Sequence, residues 1–177
     1  MDKTLISLDS IRDRELKQPL RQERWQLSGR MIVAAVCYRR DANGDVEFLL
    51  VRTRSGRWTF PKGGVDGDPT EASAAAREAH EEAGVRGEIE TQAFTWYLHC
   101  KCGSDVHPVN AHLGRVVHLE MPHEPFRTPR WFSAERAKRR LREDRPSFYA
   151  EELERVVERA VRRIQVGTRR TDTSLLN

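Results

Sequence analysis

A short acidic helix constrains this chain more than any other feature of its sequence. In the segment REAHEEAG, Glu78, Glu81 and Glu82 follow the spacing i, i+3 and i+4, so their carboxylates share one helix face. Like charges at this spacing repel one another and destabilise a helix unless cations offset them. Arg77 can pair with Glu81 across one turn, which leaves two carboxylates short of partners. Taken alone, such a triplet favours a solvated acidic stripe.

The residues around this helix favour a metal site instead. Alanine fills most of the other helix positions, so the helix can pack closely against a sheet. Gly63 and Gly64 precede it and allow the backbone to approach a ligand. Carboxylate oxygens on a rigid scaffold suit a hard cation, Mg²⁺ or Mn²⁺. Basic residues that precede the helix are candidates for phosphate contacts: Arg52, Arg54, Arg57 and Lys62.

The rest of the pattern predicts a mixture of strands and helices. MIVAAVCYRR and VEFLLVRT are apolar and β-branched, and Asn43-Gly44 between them marks a hairpin turn. RVVHLEM is a further strand. Helices are expected after Ser133 and over 147–165, where apolar residues recur at steps of three or four.

Composition and length set the expected organisation. With 177 residues, the chain is long enough for one domain with a hydrophobic core. We predict an N-terminal arm over 1–29, a single domain over 30–165 that includes the C-terminal helix, and a tail over 166–177. No apolar run approaches the roughly 20 residues that cross a membrane, so no membrane partner is expected. Three cysteines imply no disulfide framework and favour a cytoplasmic location, and the net charge of +4 favours a polyanionic partner.

The segment from Gly63 to Val85 resembles the Nudix box. That pattern is a glycine, five residues, a glutamate, seven residues, and then Arg-Glu-aliphatic-x-Glu-Glu-x-Gly-aliphatic. Gly63 takes the first position, and REAHEEAGV matches the end of the pattern at the right spacing. WTFPKGG and PRWFS also resemble the family, so the similarity covers about 30–142. The resemblance implies an α/β fold, in which a mixed curved sheet lies between helices as an α/β/α sandwich, and hydrolysis of a diphosphate linked to another group.

The resemblance also implies roles for the residues of the box. Glu78 and Glu82 would be the leading metal ligands, and Glu81 would share a metal or assist through water. The Gly63 carbonyl would add a further ligand. Arg77 would hold a glutamate in position.

The identity of the general base stays open on the sequence alone. Glu78 is the first candidate and Glu81 lies on the same face. Nudix proteins often place this base outside the box, so Glu120 in RVVHLEM is a second candidate, also as a ligand. An ordinary surface glutamate is an equal interpretation of Glu120.

One position departs from the family pattern, because Pro69 stands where the first motif glutamate would fall. Locally this is a good helix start, with Asp68 as N-cap, Pro69 at the first helical position and Glu71 three residues after the cap. The helix is therefore expected over 69–83, ended by Gly84. The departure favours, as an alternative function, a Nudix-fold module that binds nucleotides with little catalysis.

The substrate is the least determined property. Two segments, RSGRWTFPKGGVD and EAGVRGEIE, are most similar to one branch of the Nudix family, the diphosphoinositol polyphosphate and diadenosine polyphosphate hydrolases. This resemblance implies a small, highly anionic substrate. Nucleic-acid binding through the basic C-terminal region ranks last, because no interleaved aromatics or nucleic-acid motif accompany the charges. A zinc site in the loop over 99–112 is disfavoured, since the His and Cys spacing matches no common structural site.

Overall fold

The computed structural model describes residues 31–100 and 106–174, so the predicted arm over 1–29 lies outside the described residues. The elements form one compact unit that begins at Ile32, and the boundaries predicted for a single domain over 30–165 stay a prediction. The strands are β1 (Ile32–Arg40), β2 (Val46–Arg52), β3 (Trp58–Thr59), β4 (Lys62–Gly64), β5 (Val85–Ile89), β6 (Thr95–Cys100), β7 (Val106–Leu119) and β8 (Arg130–Ser133). The helices are α1 (Glu71–Ala83), α2 (Ala134–Arg142) and α3 (Ser147–Ser174), and Pro125–Arg127 forms a 3₁₀ turn.

The strands build one mixed sheet with β1 at its centre. The main path is β3-β2-β1-β7-β5, while β4 pairs with β1, β6 with β7 and β8 with β2. β1 and β7 run parallel, and the other pairs are antiparallel. The predicted hairpin of β1 and β2 is confirmed by the register Tyr38↔Phe48.

Helices cover both faces of this sheet. Because successive side chains of a strand point to opposite faces, β1 sends Ala34 and Val36 to one face and Val33, Ala35 and Cys37 to the other. The first set packs in a cluster with residues of α2 and α3, among them Leu141, Val156 and Ala160. The second set packs against the alanines of α1: Ala74, Ala75, Ala79 and Ala83. The expected α/β/α sandwich is therefore confirmed.

The start of α1 differs from the expectation. The helix begins at Glu71 and its N-cap is Thr70, which accepts a hydrogen bond from the Ser73 backbone while the Ser73 side chain bonds back to Thr70. The assignment of Asp68 as N-cap is wrong, because its carboxylate has a different partner, described below.

The end of α1 agrees with the expectation. Gly84 closes the helix in the left-handed conformation, with φ 67°. A Cβ at this position would also lie 2.0 Å from the Glu120 carbonyl oxygen, so only glycine fits there.

The C-terminal helix is longer than expected. α3 begins at Ser147, as predicted, and buries the apolar stripe that includes Leu153, Val156 and Ile164. It continues past residue 165 to Ser174, so most of the segment assigned to a loose tail is helical, and 175–177 lie outside the described residues. None of the helices within the described ranges is long and apolar enough to cross a bilayer.

Candidate active site

The Glu78 carboxylate lies directly against Gly63. β4 pairs antiparallel with β1, with Gly63 opposite Val33, and this pairing fixes the glycine beneath α1. A Cβ on Gly63 would lie 2.1 Å from Glu78 Oε1, so any other residue would displace the carboxylate. The spacing between the first glycine of the motif and its Arg-Glu pair thus has a steric cause. Glu78 is 9% exposed.

Arg77 holds this part of the site together. Its Nη1 donates to Glu78 Oε1 at 2.7 Å and to Glu81 Oε2 at 3.2 Å. Its Nη2 donates to the Gly64 carbonyl at 2.9 Å, and its Nε donates to Asp68 Oδ2 at 3.0 Å. A guanidinium presents its donors in a rigid fork, so four acceptors fix both the arginine and the carboxylates that it contacts. The role expected for Asp68 at the helix start is replaced by this contact.

Glu82 is the most deeply buried of the three carboxylates, at 3% exposure. Its Oε2 accepts a hydrogen bond from the Lys62 backbone N–H at 3.3 Å. Its Oε1 lies 2.5 Å from Nη2 of Arg127 in the 3₁₀ turn, and Arg127 Nε donates to Glu124 Oε2 at 2.6 Å. Sequence analysis missed Arg127, since its only signal is its place just before PRWFS, whose strand β8 pairs with β2.

Burial perturbs both inner carboxylates. Desolvation raises the pKa of Glu82 to about 7, against the opposing effects of Arg127 and Lys62. Desolvation also raises the pKa of Glu78, and Arg77 opposes that shift. Two buried carboxylates whose arginine and lysine partners do not fully compensate for desolvation form a favourable place for an additional cation.

The outer carboxylates lie in different surroundings. The Glu81 side chain is 39% exposed at the rim of the cluster, within reach of Arg77. The structure does not bring Glu120 to the cluster: its carboxylate pairs with His80 at 2.9 Å and with Arg86 at 3.1 Å. His80 leaves α1 on a different face from Glu78. Hydrogen bonds from Arg86 and His80 lower the pKa of Glu120 to about 2, which makes it a poor proton acceptor.

The four predicted basic residues differ in their surroundings: two of them lie against aromatic rings, and the other two do not. Lys62 is close enough to Glu82 for the two charges to interact, and burial lowers the pKa of its amine. Arg57 lines a small cavity beside β3 and β6. Arg52 instead stacks 4.5 Å from the ring centre of Trp58, and Arg54 lies 5.7 Å from that of Phe126.

Comparison with known protein families shows to which family the chain belongs. The family model described as the NUDIX domain matches residues 30–151. The chain belongs to the Nudix family. Nudix hydrolase 4 of Arabidopsis thaliana is 33% identical over 145 residues, which cover 76% of this chain and 67% of that protein. The expectation of a Nudix pyrophosphohydrolase is therefore confirmed.

Two further proteins are similar to the chain, one by sequence and one by structure. Diphosphoinositol polyphosphate phosphohydrolase 2 of Rattus norvegicus is 36% identical over 56 residues, or 32% of this chain and 31% of that protein. The crystal structure of a C. elegans Ap4A hydrolase binary complex has a TM-score of 0.58 at 23% identity, and covers 77% of this chain and 98% of that one. At this identity the second likeness supports the fold.

Nudix hydrolases generally use divalent metal ions, and the carboxylates described above fit one. No three His, Cys, Asp or Glu side chains in the described ranges converge into a complete metal site. Mg²⁺, however, is usually bound by one or two carboxylates together with water and substrate phosphates. Glu78 and Glu82 are buried, lie one helical turn apart and face β4 across Gly63, where a side chain would take the space of a ligand.

One histidine of the loop considered for zinc has a structural role. His112 is 1% exposed; its Nδ1 lies 2.9 Å from the Glu90 carbonyl oxygen and its Nε2 lies 3.3 Å from Glu71 Oε2. It therefore ties β7 to the first turn of α1. Residues 101–105 of this loop lie outside the described residues.

Proposed function

We propose that the chain is a metal-dependent hydrolase that cleaves a diphosphate linkage in a highly phosphorylated small molecule, either a diadenosine polyphosphate or a diphosphoinositol polyphosphate. The observation that carries the proposal is the pair of buried carboxylates, Glu78 and Glu82, set against Gly63 and supported by arginines. The names of two similar proteins, a diphosphoinositol polyphosphate phosphohydrolase and an Ap4A hydrolase, support the two substrate classes. The mild basic excess suits either substrate.

Glu78 and Glu82 would hold Mg²⁺ or Mn²⁺, with Glu81 and the Gly63 carbonyl as further ligands. When bound, the metal supplies charge that stabilises phosphoryl oxygens and acidifies a coordinated water. Arg77 keeps Glu78 in place through its contacts with Asp68 and the Gly64 carbonyl.

The remaining steps belong to the side chains around the cluster. Water attacks phosphorus and gives its proton to a carboxylate of the α1 face. The bond from that phosphorus to the bridging oxygen breaks, and the other phosphoryl fragment leaves with this oxygen. Glu78 is the preferred base, because burial makes it more basic, and Glu81 is the alternative. Glu120 is not part of this proposal, because its carboxylate pairs with His80 and Arg86. Lys62 and Arg57 would contact substrate phosphates.

The contact between Arg77 and Asp68 supports the hydrolase over the alternative, a binding module with little catalysis. That alternative rested on Pro69 in place of a glutamate, yet Arg77 has a carboxylate partner in the preceding residue, Asp68. The cysteine content is the basis on which we propose a cytoplasmic location.

A turnover screen, in which the phosphorylated products are separated by anion-exchange chromatography, tests the proposed function. The substrates are diadenosine polyphosphates, diphosphoinositol polyphosphates, ADP-ribose and nucleoside triphosphates, each with Mg²⁺, Mn²⁺ or a chelator. We expect turnover that the chelator abolishes. Glu82→Gln should lack this turnover, and Glu88→Gln, a change at a 72% exposed side chain, should retain it. Binding of these compounds without turnover, in a folded sample, would favour the binding module.

A further inference from the structure

A small, partly open cavity is lined in part by basic side chains. It has a volume of about 40 Å³ and lies between β3, β6 and the first turns of α3. Its polar lining includes Arg57, Tyr97, His99 and Arg145. A cavity of this size holds a few water molecules or one small anion.

The Tyr97 hydroxyl needs a hydrogen-bond partner that the described residues do not supply. Tyr97 is 1% exposed, and its hydroxyl makes no hydrogen bond to any of the described residues. A buried donor without an acceptor is unfavourable, and such groups in native structures usually meet water, an ion or a ligand. The hydroxyl therefore indicates that an acceptor binds in the cavity.

The charges around the cavity specify an anionic acceptor. Arg145 donates to the carbonyl oxygens of Leu141 and Trp58, which carry no full negative charge. The charge of Asp144 acts on Arg145 without forming an ion pair with it among the described residues. Within the described part of the chain, no carboxylate lies within ion-pairing distance of Arg57 or Arg145. Burial, and then the charge of Arg57, lowers the pKa of Arg145 to about 10.

The chain itself connects the cavity to the proposed active site: Thr59 lines the cavity, and three residues later the Lys62 backbone N–H donates to Glu82. The charges of both Glu82 and Arg145 act on the Lys62 amine. The same lysine, together with Arg145 and Arg57, adds to burial in lowering the pKa of His99 to about 3, so this imidazole is neutral and retains one donor and one acceptor.

We propose that the cavity is a second phosphate site, in which Arg57, Arg145 and the Tyr97 hydroxyl bind a phosphate group of the substrate other than the diphosphate that is cleaved. This rests on the proposed function and narrows it: the preferred substrates carry at least one phosphate beyond the reacting pair. ADP-ribose lacks such a group, whereas diadenosine tetraphosphate and diphosphoinositol polyphosphates have it.

Direct binding tests the site without turnover. The full chain is titrated with inorganic phosphate and with pyrophosphate in the presence of a chelator, by calorimetry and by chemical shifts. Arg145→Met should weaken phosphate binding about 10-fold or more, and Tyr97→Phe about 10- to 100-fold, as expected for loss of one hydrogen bond to a charged group. Arg115→Met, at an exposed arginine paired with Glu88, is the matched control and should leave binding unchanged.

Kinetics then identify the source of the phosphate. For Tyr97→Phe, the ratio of kcat/KM for diadenosine tetraphosphate to kcat/KM for ADP-ribose should fall, and free phosphate should compete with the first substrate in the wild type. If phosphate binds in the cavity but does not compete with diadenosine tetraphosphate, the cavity is an effector site and the proposal is overturned. Phosphate binding that neither Arg145→Met nor Tyr97→Phe weakens would also overturn it.

The same experiments keep the two proposals apart. If no substrate is turned over while phosphate binding depends on Arg145 and Tyr97, the hydrolase proposal fails and the phosphate site remains. If turnover occurs and the variants behave as wild type in both binding and substrate ratio, the phosphate site fails alone. Tyr97→Phe removes only one oxygen, so the test does not depend on how well Arg145→Met folds.

Discussion

Replacing Glu82 with Gln should stabilise the metal-free protein while it abolishes turnover. Glu82 is 3% exposed and burial raises its pKa from 4.5 to about 7. The folded protein therefore holds this proton more tightly than the unfolded chain. The stability that the side chain contributes is fully present below pH 4.5 and is lost as the pH rises through 7. The shift, 7 − 4.5 = 2.5 units, corresponds to about 3 kcal/mol of unfolding free energy.

Glutamine removes this pH dependence because it cannot ionise. In a chelator, we expect Glu82→Gln to exceed the wild type by about 3 kcal/mol at pH 8 and by only about 1 kcal/mol at pH 5, where most of the folded wild type is protonated. Urea unfolding followed by the fluorescence of buried Trp58 measures both differences. Glu88→Gln, on the surface, should differ from the wild type by less than about 0.5 kcal/mol at either pH.

Magnesium should narrow the difference between the wild type and the variant at pH 8. Because Glu82 is proposed as a ligand, Mg²⁺ should stabilise the wild type at pH 8 and leave the variant nearly unchanged. A variant that is less stable than the wild type at pH 8, by the same amount as at pH 5, would refute the reasoning. It would mean that the contact with Arg127 outweighs the desolvation of the carboxylate.

Three further predictions concern the same site. Gly63→Ala places a Cβ 2.1 Å from Glu78 Oε1, so turnover should fall about 100-fold while circular dichroism stays native. Asp68→Asn weakens the hold on Arg77 and should lower Mg²⁺-dependent kcat/KM about 10-fold. Since protons compete with metal at Glu82, the apparent affinity for Mg²⁺ should be about 10-fold weaker at pH 6 than at pH 8, measured by titrating turnover.

Controls and contrary outcomes are available for each of the three. Gly167→Ala, at a helical position where a Cβ meets nothing within 4 Å, should leave turnover intact; equal losses at both glycines would remove the steric argument. Thr70→Ala breaks the helix cap and should cost about 1 kcal/mol of stability with little effect on kcat/KM, the reverse of Asp68→Asn. A Mg²⁺ affinity that is the same at pH 6 and pH 8 would contradict the raised pKa of Glu82.

The local parts of the site were predictable from sequence, and the long-range parts were not. The i, i+3 and i+4 spacing requires a shared helix face, and Gly84 ends the helix, because both follow from backbone geometry. Asp68 and Thr70 are both good N-caps, and only the position of Arg77 in the folded chain decides between them. Arg127 carries no pattern of its own: the pairing of β8 with β2 and the turn before it bring the arginine to Glu82.

The arginine on Glu82 has a consequence for how the protein would exchange its metal. Because Arg127 Nη2 lies 2.5 Å from Glu82 Oε1, a cation that approaches this oxygen from the same side would compete with the guanidinium. The apparent affinity for metal would then include the free energy of moving Arg127, and we expect the rate of metal binding to depend on the turn Pro125–Arg127. Phe126 in that turn is 44% exposed and lies 5.7 Å from Arg54. A change at this surface position, outside the carboxylate cluster, would therefore alter how fast the site fills.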